Sequence, residues 1–152
     1  MSSLTLALLA AVTLPGSLPV GADPDPLSAY RWKHRLLVID VPDTQAGRAT
    51  LAAFRTSLDD RKDDVLDRDL LIVPVGDLPR PGDPLQLAVD LGVPDRSDVR
   101  RRLGLHGQGA QLVLIGKDGG TKARQSEGAF DLERLFELID GMAMRRAEMQ
   151  RR

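Results

Sequence analysis

Three stretches of the chain are apolar at consecutive positions: 36–39, 70–75 and 112–115. None alternates apolar with polar, so each predicts a strand covered on both faces, spanning 35–41, 69–75 and 111–116. Pro42 ends the first. Pro74 has no N–H to give to a ladder, which puts it near a strand end or on an edge. Between the first two strands the period changes. Leu51, Phe54 and Leu58 recur at steps of three and four, the mark of one helical face packed on a sheet, and Asp43-Thr44 offers the cap. The charge-dense stretch 59–69 predicts the surface end of that helix and a loop.

Residues 76–94 are rich in Pro, Gly and Asp around one short apolar piece at 85–91, a long surface excursion. Ser97 or Asp98 can cap a short helix carrying Val99, Leu103 and Leu105, with Gly104 and Gly107 helping to end it. Asp118-Gly119 is a hairpin signal, because glycine tolerates positive φ. Residues 121–124 return as a polar strand at an exposed edge. Leu132, Leu135, Phe136, Ile139 and Met142 then share one stripe of a closing helix that opens at Asp131. Acids lead it and Arg145-Arg146 follow, which suits the helix dipole. The order strand, helix, strand, helix, strand, strand, helix predicts an α/β fold, a four-stranded mixed sheet with helices on both faces. The first two strands should be parallel through a right-handed crossover, the last two an antiparallel hairpin. A thioredoxin-like domain has this order.

The N-terminus reads differently. No charged side chain occurs in residues 1–22, and an apolar run at 4–14 is too short to span a bilayer. Pro15-Gly16 breaks it, and Val20-Gly21-Ala22 resembles a small-residue cleavage site. This predicts a signal peptide at 1–22 cut after Ala22, a stiff leader at 23–29 and a domain at 30–150, in a periplasmic or secreted protein. No Lys or Arg follows Met1, and the bland alternative is a disordered N-terminus. Trp32 is expected to anchor the leader against the domain.

Composition narrows the chemistry. The chain has 152 residues, a formal net charge of -1 and no cysteine. Zero cysteine removes disulfides, thiolate nucleophiles and cysteine-based metal sites. Few aromatics and near-zero net charge argue against nucleic acid as a partner, and no integral membrane span is expected. A cysteine-free chain of this size can bury enough surface to fold without disulfide staples.

The residues also carry a family resemblance. Tyr30-Arg31-Trp32 before Arg35-Leu36-Leu37-Val38, Asp67-Arg68-Asp69-Leu70, Leu114-Ile115-Gly116-Lys117-Asp118-Gly119 with Lys122, and the run at 139–149 resemble the domain-of-unknown-function family 4174. That family is a thioredoxin-like, peroxiredoxin-related group of bacterial exported proteins. Ala143 stands where the family's Met-Pro-Met-Arg-Arg pattern has Pro. The resemblance implies a fold and an exported location and supplies no established reaction.

In this fold chemistry belongs where the first strand meets the first helix. Here that junction is Asp40-Val41-Pro42-Asp43-Thr44. Without a thiolate, Thr44 would need an adjacent base to act as a nucleophile, and no His lies in the segment. The bland reading, helix capping by Asp43 and Thr44, is favoured. Gly109-Ala110 replaces the cis-Pro that frames a substrate groove in thioredoxins. His34 and His106 lack the spacing and company of a zinc site, so no metal and no cofactor are expected. Lys117 and Asp118 fit turn chemistry. Arg100-Arg101-Arg102 and Arg145-Arg146 can bind phosphate, sulfate or carboxylate in bidentate fashion if they converge, against a plainer role on a solvated helix face. Glu148 can pair with Arg145 or Arg146. The expectation is a non-catalytic binding module, neither thiol oxidoreductase nor peroxidase. Its candidate ligand residues are Asp43, Thr44, Lys117, Arg145 and Arg146, and its candidate partners an anionic glycan, a lipid headgroup or an acidic protein. The alternative is a thiol-independent enzyme at Asp43 and Thr44.

Overall fold

The computed structural model describes residues 25–78, 95–126 and 128–151. The expected signal segment at 1–22 and the apolar piece at 85–91 lie outside them. Four strands make one sheet: β1 (Arg35–Asp40), β2 (Leu70–Pro74), β3 (Gln111–Ile115) and β4 (Thr121–Ser126), in the order β2-β1-β3-β4. β1 is parallel to β2 and antiparallel to β3, and β3 is antiparallel to β4. Every residue of β1 is buried, as its unbroken apolar run requires. Pro74 closes β2 on an edge of the sheet, where its missing donor leaves no gap in the ladder.

Strand alternation sorts the core into two layers. Leu37 and Ile39 face one side with Ile72, Leu112 and Leu114, under helices α1 (Gln45–Asp60), α2 (Lys62–Asp67) and α4 (Leu132–Asp140). There Phe54 meets Phe130 edge to face, with ring centres 5.3 Å apart. Leu36 and Val38 face the other side with Val73 and Val113, under α3 (Arg96–Leu103) and the N-terminal Leu27 and Tyr30. The mixed sheet covered on both faces is therefore the one the element order predicts.

Four local expectations are corrected. The charged stretch after α1 is not a loop but α2, anchored by Val65, which is fully buried while its neighbour Leu66 is exposed. Asp95, rather than Ser97 or Asp98, caps α3 by accepting from the Ser97 N–H at 2.8 Å. The closing helix breaks after Gly141. Met142 takes an extended conformation and starts a separate helix α5 (Ala143–Gln150). Trp32 is not the anchor: Leu27 and Tyr30 fill the core, while Trp32 is 68% exposed.

Candidate functional site

β1 opens with a charge in a place that has no room for an unpaired one. Arg35 is 1% exposed. Its guanidinium donates to the Arg68 carbonyl at 2.9 Å and grips both Glu148 oxygens at 3.2 and 3.3 Å. This two-pronged pairing fixes direction as well as charge. Glu148 also accepts from Lys117 Nζ at 2.7 Å, and Lys117 reaches Asp69 at 2.7 Å. Beside them Arg145, equally buried, holds the Asp67 carboxylate and carbonyl and lies 3.3 Å from Asp140. Asp140 in turn accepts from Arg68 at 2.5 Å, and the Arg68 guanidinium lies over the Phe136 ring at 4.4 Å. Burial works against ionising Glu148, but the hydrogen bonds from Lys117 and Arg35 outweigh it and hold its carboxyl below the ordinary glutamate value. Asp140 is likewise lowered: burial opposes, and Arg68 and Arg145 prevail.

Next to this cluster is a cleft of about 290 Å³ lined by Arg35, Lys117, Asp118, Lys122, Met142 and Met144, among others. Trp32 is fastened beside it. Its N–H donates to the Lys117 carbonyl at 2.6 Å, and its φ is 66°. Among the described residues, Trp32 and Asp69 alone are non-glycine residues with positive φ, and each bonds Lys117, one through backbone and one through side chain. A bulky residue held in the left-handed region is a genuine outlier and stores strain.

The opposite end of the sheet holds the strand–helix junction. Thr44 caps α1, its Oγ1 accepting from the Gly47 N–H at 3.0 Å, and Asp43 pairs with Arg48. A Cβ at Gly47 would collide with the Pro42 carbonyl, so the turn is closed tightly on itself. Asp40, at the end of β1, is fully buried. Its Oδ2 accepts from the Gly107 N–H at 3.1 Å and lies 3.5 Å from Arg100 Nε, while Oδ1 has no hydrogen-bond partner among the described residues. Burial pushes its pKa up. Arg100 and the Gly107 N–H pull it back, Asp77 adds to the push and His106 reduces it.

The residues singled out in sequence thus fall at two ends. Asp43 and Thr44 are engaged in local caps and pairs at the junction. Lys117 and Arg145 come together at the other end, already matched by carboxylates, and Arg146 is exposed on α5. The two arginine clusters do not share a pocket. Arg100 turns to Asp40, Arg101 to Asp98 and Arg102 to Asp25. Glu148 has its strongest partners in Arg35 and Lys117 rather than in its helical neighbours. Sequence reasoning missed Arg35, although one charge heading an apolar strand was the available signal. Among the described residues no group of three or more His, Asp or Glu side chains could hold a metal ion, and no helix is long and apolar enough to cross a membrane.

Two outcomes test this electrostatic picture. Glu148→Gln leaves Arg35 and Lys117 short of a counter-charge, and urea unfolding at neutral pH should show a loss of about 3 kcal/mol, at the lower end for a buried pair because Glu148 is partly solvated. That loss should shrink as pH falls through the lowered Glu148 value, since the wild type protonates there and forfeits the same pairing. Asp40→Asn should do the reverse. A raised carboxyl makes the wild type lose stability as pH climbs from the ordinary aspartate value through the raised one, so the stability of the variant relative to wild type should rise across that window. Parallel curves for either pair of proteins would contradict the assignment.

Against known proteins the chain is similar in structure to the reduced 2-Cys peroxiredoxin of Plasmodium vivax, with a TM-score of 0.51 and 14% sequence identity, over 81% of this chain and 72% of that one. At that identity the likeness shows the fold, a thioredoxin-like one. No curated protein matches the sequence. The chain has no cysteine, so the thiol chemistry of a peroxidase has no nucleophile here. A family model described as "Domain of unknown function (DUF4174)" matches residues 26–148. The segments that carried the resemblance in sequence, around Trp32, Asp67-Arg68-Asp69, Lys117 and Arg145 to Glu148, are those that meet at the cleft end of the sheet. On the extent of that match the chain belongs to the DUF4174 family.

Proposed function

We propose that the chain is a non-catalytic interaction module of the cell envelope that docks a protein partner on Trp32 and the adjoining cleft. The observation that carries this reading is Trp32 itself. An indole left 68% exposed on a backbone at φ 66° is unfavourable twice over, through its apolar surface in water and its strained conformation. Neither is recovered within the described fold, whereas a partner covering the indole would recover the first. Tryptophan is also the side chain most enriched among residues that dominate binding energy. Met144, 36% exposed, adds apolar surface to the cleft. Lys117 and Arg145 already have carboxylate partners, which leaves little free charge for an anionic glycan or lipid headgroup and favours a protein that covers apolar surface. The engagement of Thr44 and Asp43 in local structure supports a non-catalytic role. The uncharged apolar stretch before Asp23 supports export.

Trp32→Gly separates docking from folding. Glycine accepts the left-handed conformation, so this variant should be more stable by up to about 1 kcal/mol in urea unfolding. It should also fail to retain envelope proteins that wild type and Thr44→Ala both retain in a pull-down. Equal retention by Trp32→Gly would overturn the docking assignment. A turnover abolished by Thr44→Ala or Asp43→Ala at unchanged stability would establish the enzyme instead.

A further inference from the structure

β4 is the sheet edge opposite β2. It pairs only with β3, and among the described residues no backbone hydrogen bond meets its outer side. Between it and α4 runs a groove of about 550 Å³. Leu135 and Leu138 line its helical wall, and Leu138 is 42% exposed. The register of the groove is fixed by Gln125, whose amide donates to the Asp131 carbonyl at 3.3 Å and accepts from the Asp131 N–H at 3.0 Å, tying the start of α4 to β4.

The charge of this groove is one-sided. Lys122, Arg124 and Arg134 line it against Glu137. Lys122 is paired with Asp118, but neither Arg124 nor Arg134 has a carboxylate partner among the described residues. β4 itself, Thr-Lys-Ala-Arg-Gln-Ser, contains no acid. A second copy of this chain is therefore a poor occupant. An antiparallel β4–β4 pair centred on Ala123 would set Lys122 against Arg124 twice, and directly opposed like charges destabilise a ladder.

We propose that the groove between β4 and α4 takes an extended acidic segment of a partner protein as a fifth strand. The main chain of the segment satisfies the open edge. Its alternate side chains divide between the two faces, with apolar ones toward Leu135 and Leu138 on the α4 side and acidic ones beside Arg124 on the other, while Arg134 adds positive charge on the α4 wall. This goes beyond the Trp32 reading and does not depend on it, since the groove and the indole are different surfaces.

The test uses fluorescence anisotropy with a labelled peptide of alternating Glu and Leu, its Lys-Leu counterpart, and a Glu-Leu peptide N-methylated on alternate residues, all titrated with the full chain. The Glu-Leu peptide should bind, more weakly as salt rises, while the Lys-Leu and N-methylated peptides lose at least about tenfold in affinity. Arg124→Glu with Arg134→Glu should cost a similar factor. Both residues are exposed, and circular dichroism should show the fold intact. Trp32→Gly should bind this peptide unchanged, which keeps the two readings separate. No binding of the Glu-Leu peptide up to about 1 mM, equal binding of the N-methylated or Lys-Leu peptide, or concentration-dependent dimers abolished by the arginine changes would overturn the proposal.

Discussion

The buried guanidinium of Arg35 constrains more of this structure than any apolar contact does. It begins the strand that pairs on both sides, and it has almost no access to water. A charge there is tolerable only with a counter-charge in good geometry. Glu148 supplies it from 113 positions away. That requirement explains why the last helix does not simply continue. α4 must bury Leu135, Phe136 and Ile139 against the sheet, and a straight extension, turning about 100° per residue, would carry Glu148 to the face opposite that stripe. The break at Gly141–Met142 frees α5 to turn Arg145 and Glu148 inward. Glu148 then faces three cations, Arg35 and Lys117 closely and Arg145 at 3.8 Å, and Asp69 helps to balance Lys117. Ion clusters of this kind contribute less to net stability than to the choice of one arrangement over its competitors, and here the arrangement chosen builds the cleft and holds Trp32 outside.

The two ends of β1 treat charge in opposite ways. At its start, carboxylates are surrounded by cations and kept ionised. At its end, Asp40 is buried, among the described residues, with a single guanidinium at 3.5 Å, one backbone donor and an oxygen left without a partner. The end that carries thiol chemistry in redox proteins of this architecture is tightly packed among the described residues of this chain. Gly47 closes the helix entrance on the Pro42 carbonyl. A Cβ at Gly76 would crowd Val41 and Asp40, so the chain after β2 presses on the same spot.

The sheet was legible in sequence because it follows from period alone. Unbroken apolar runs mean two covered faces, and the Asp-Gly turn means a hairpin. The helix break was legible only through the resemblance. In the family pattern a Pro occupies the position of Ala143, the first residue of α5, and the first turn is where proline fits a helix without losing a hydrogen bond. Read as a helix start rather than as a substitution inside one helix, Met-Pro-Met marks the turn. α2 was illegible because six residues give too little period, and Val65 alone carries its burial. The charge cluster could not be read because its members come from five separated segments, and periodicity says nothing about which charges share a place. Trp32 was misjudged because a large aromatic at a domain boundary is normally core. Its exposure follows from the Lys117 carbonyl catching its N–H, a contact no local pattern encodes.

Lys122 lines both the cleft and the edge groove, which makes the two surfaces neighbours around one hairpin. β3 and β4 are the stiffest way to join them, since the turn between is closed by the Gly116 N–H to Gly120 carbonyl bond at 2.9 Å and by Asp118 accepting from the Gly120 N–H at 3.1 Å. A ligand engaging both would gain from rigid spacing rather than from new contacts, because the second encounter would occur at high effective concentration. On the proposed reading, the scaffold uses this end of its sheet in this way. The charge pairs hold the hairpin, the terminal helix and the exposed indole in fixed relation, and fixed relation is what a binding surface needs.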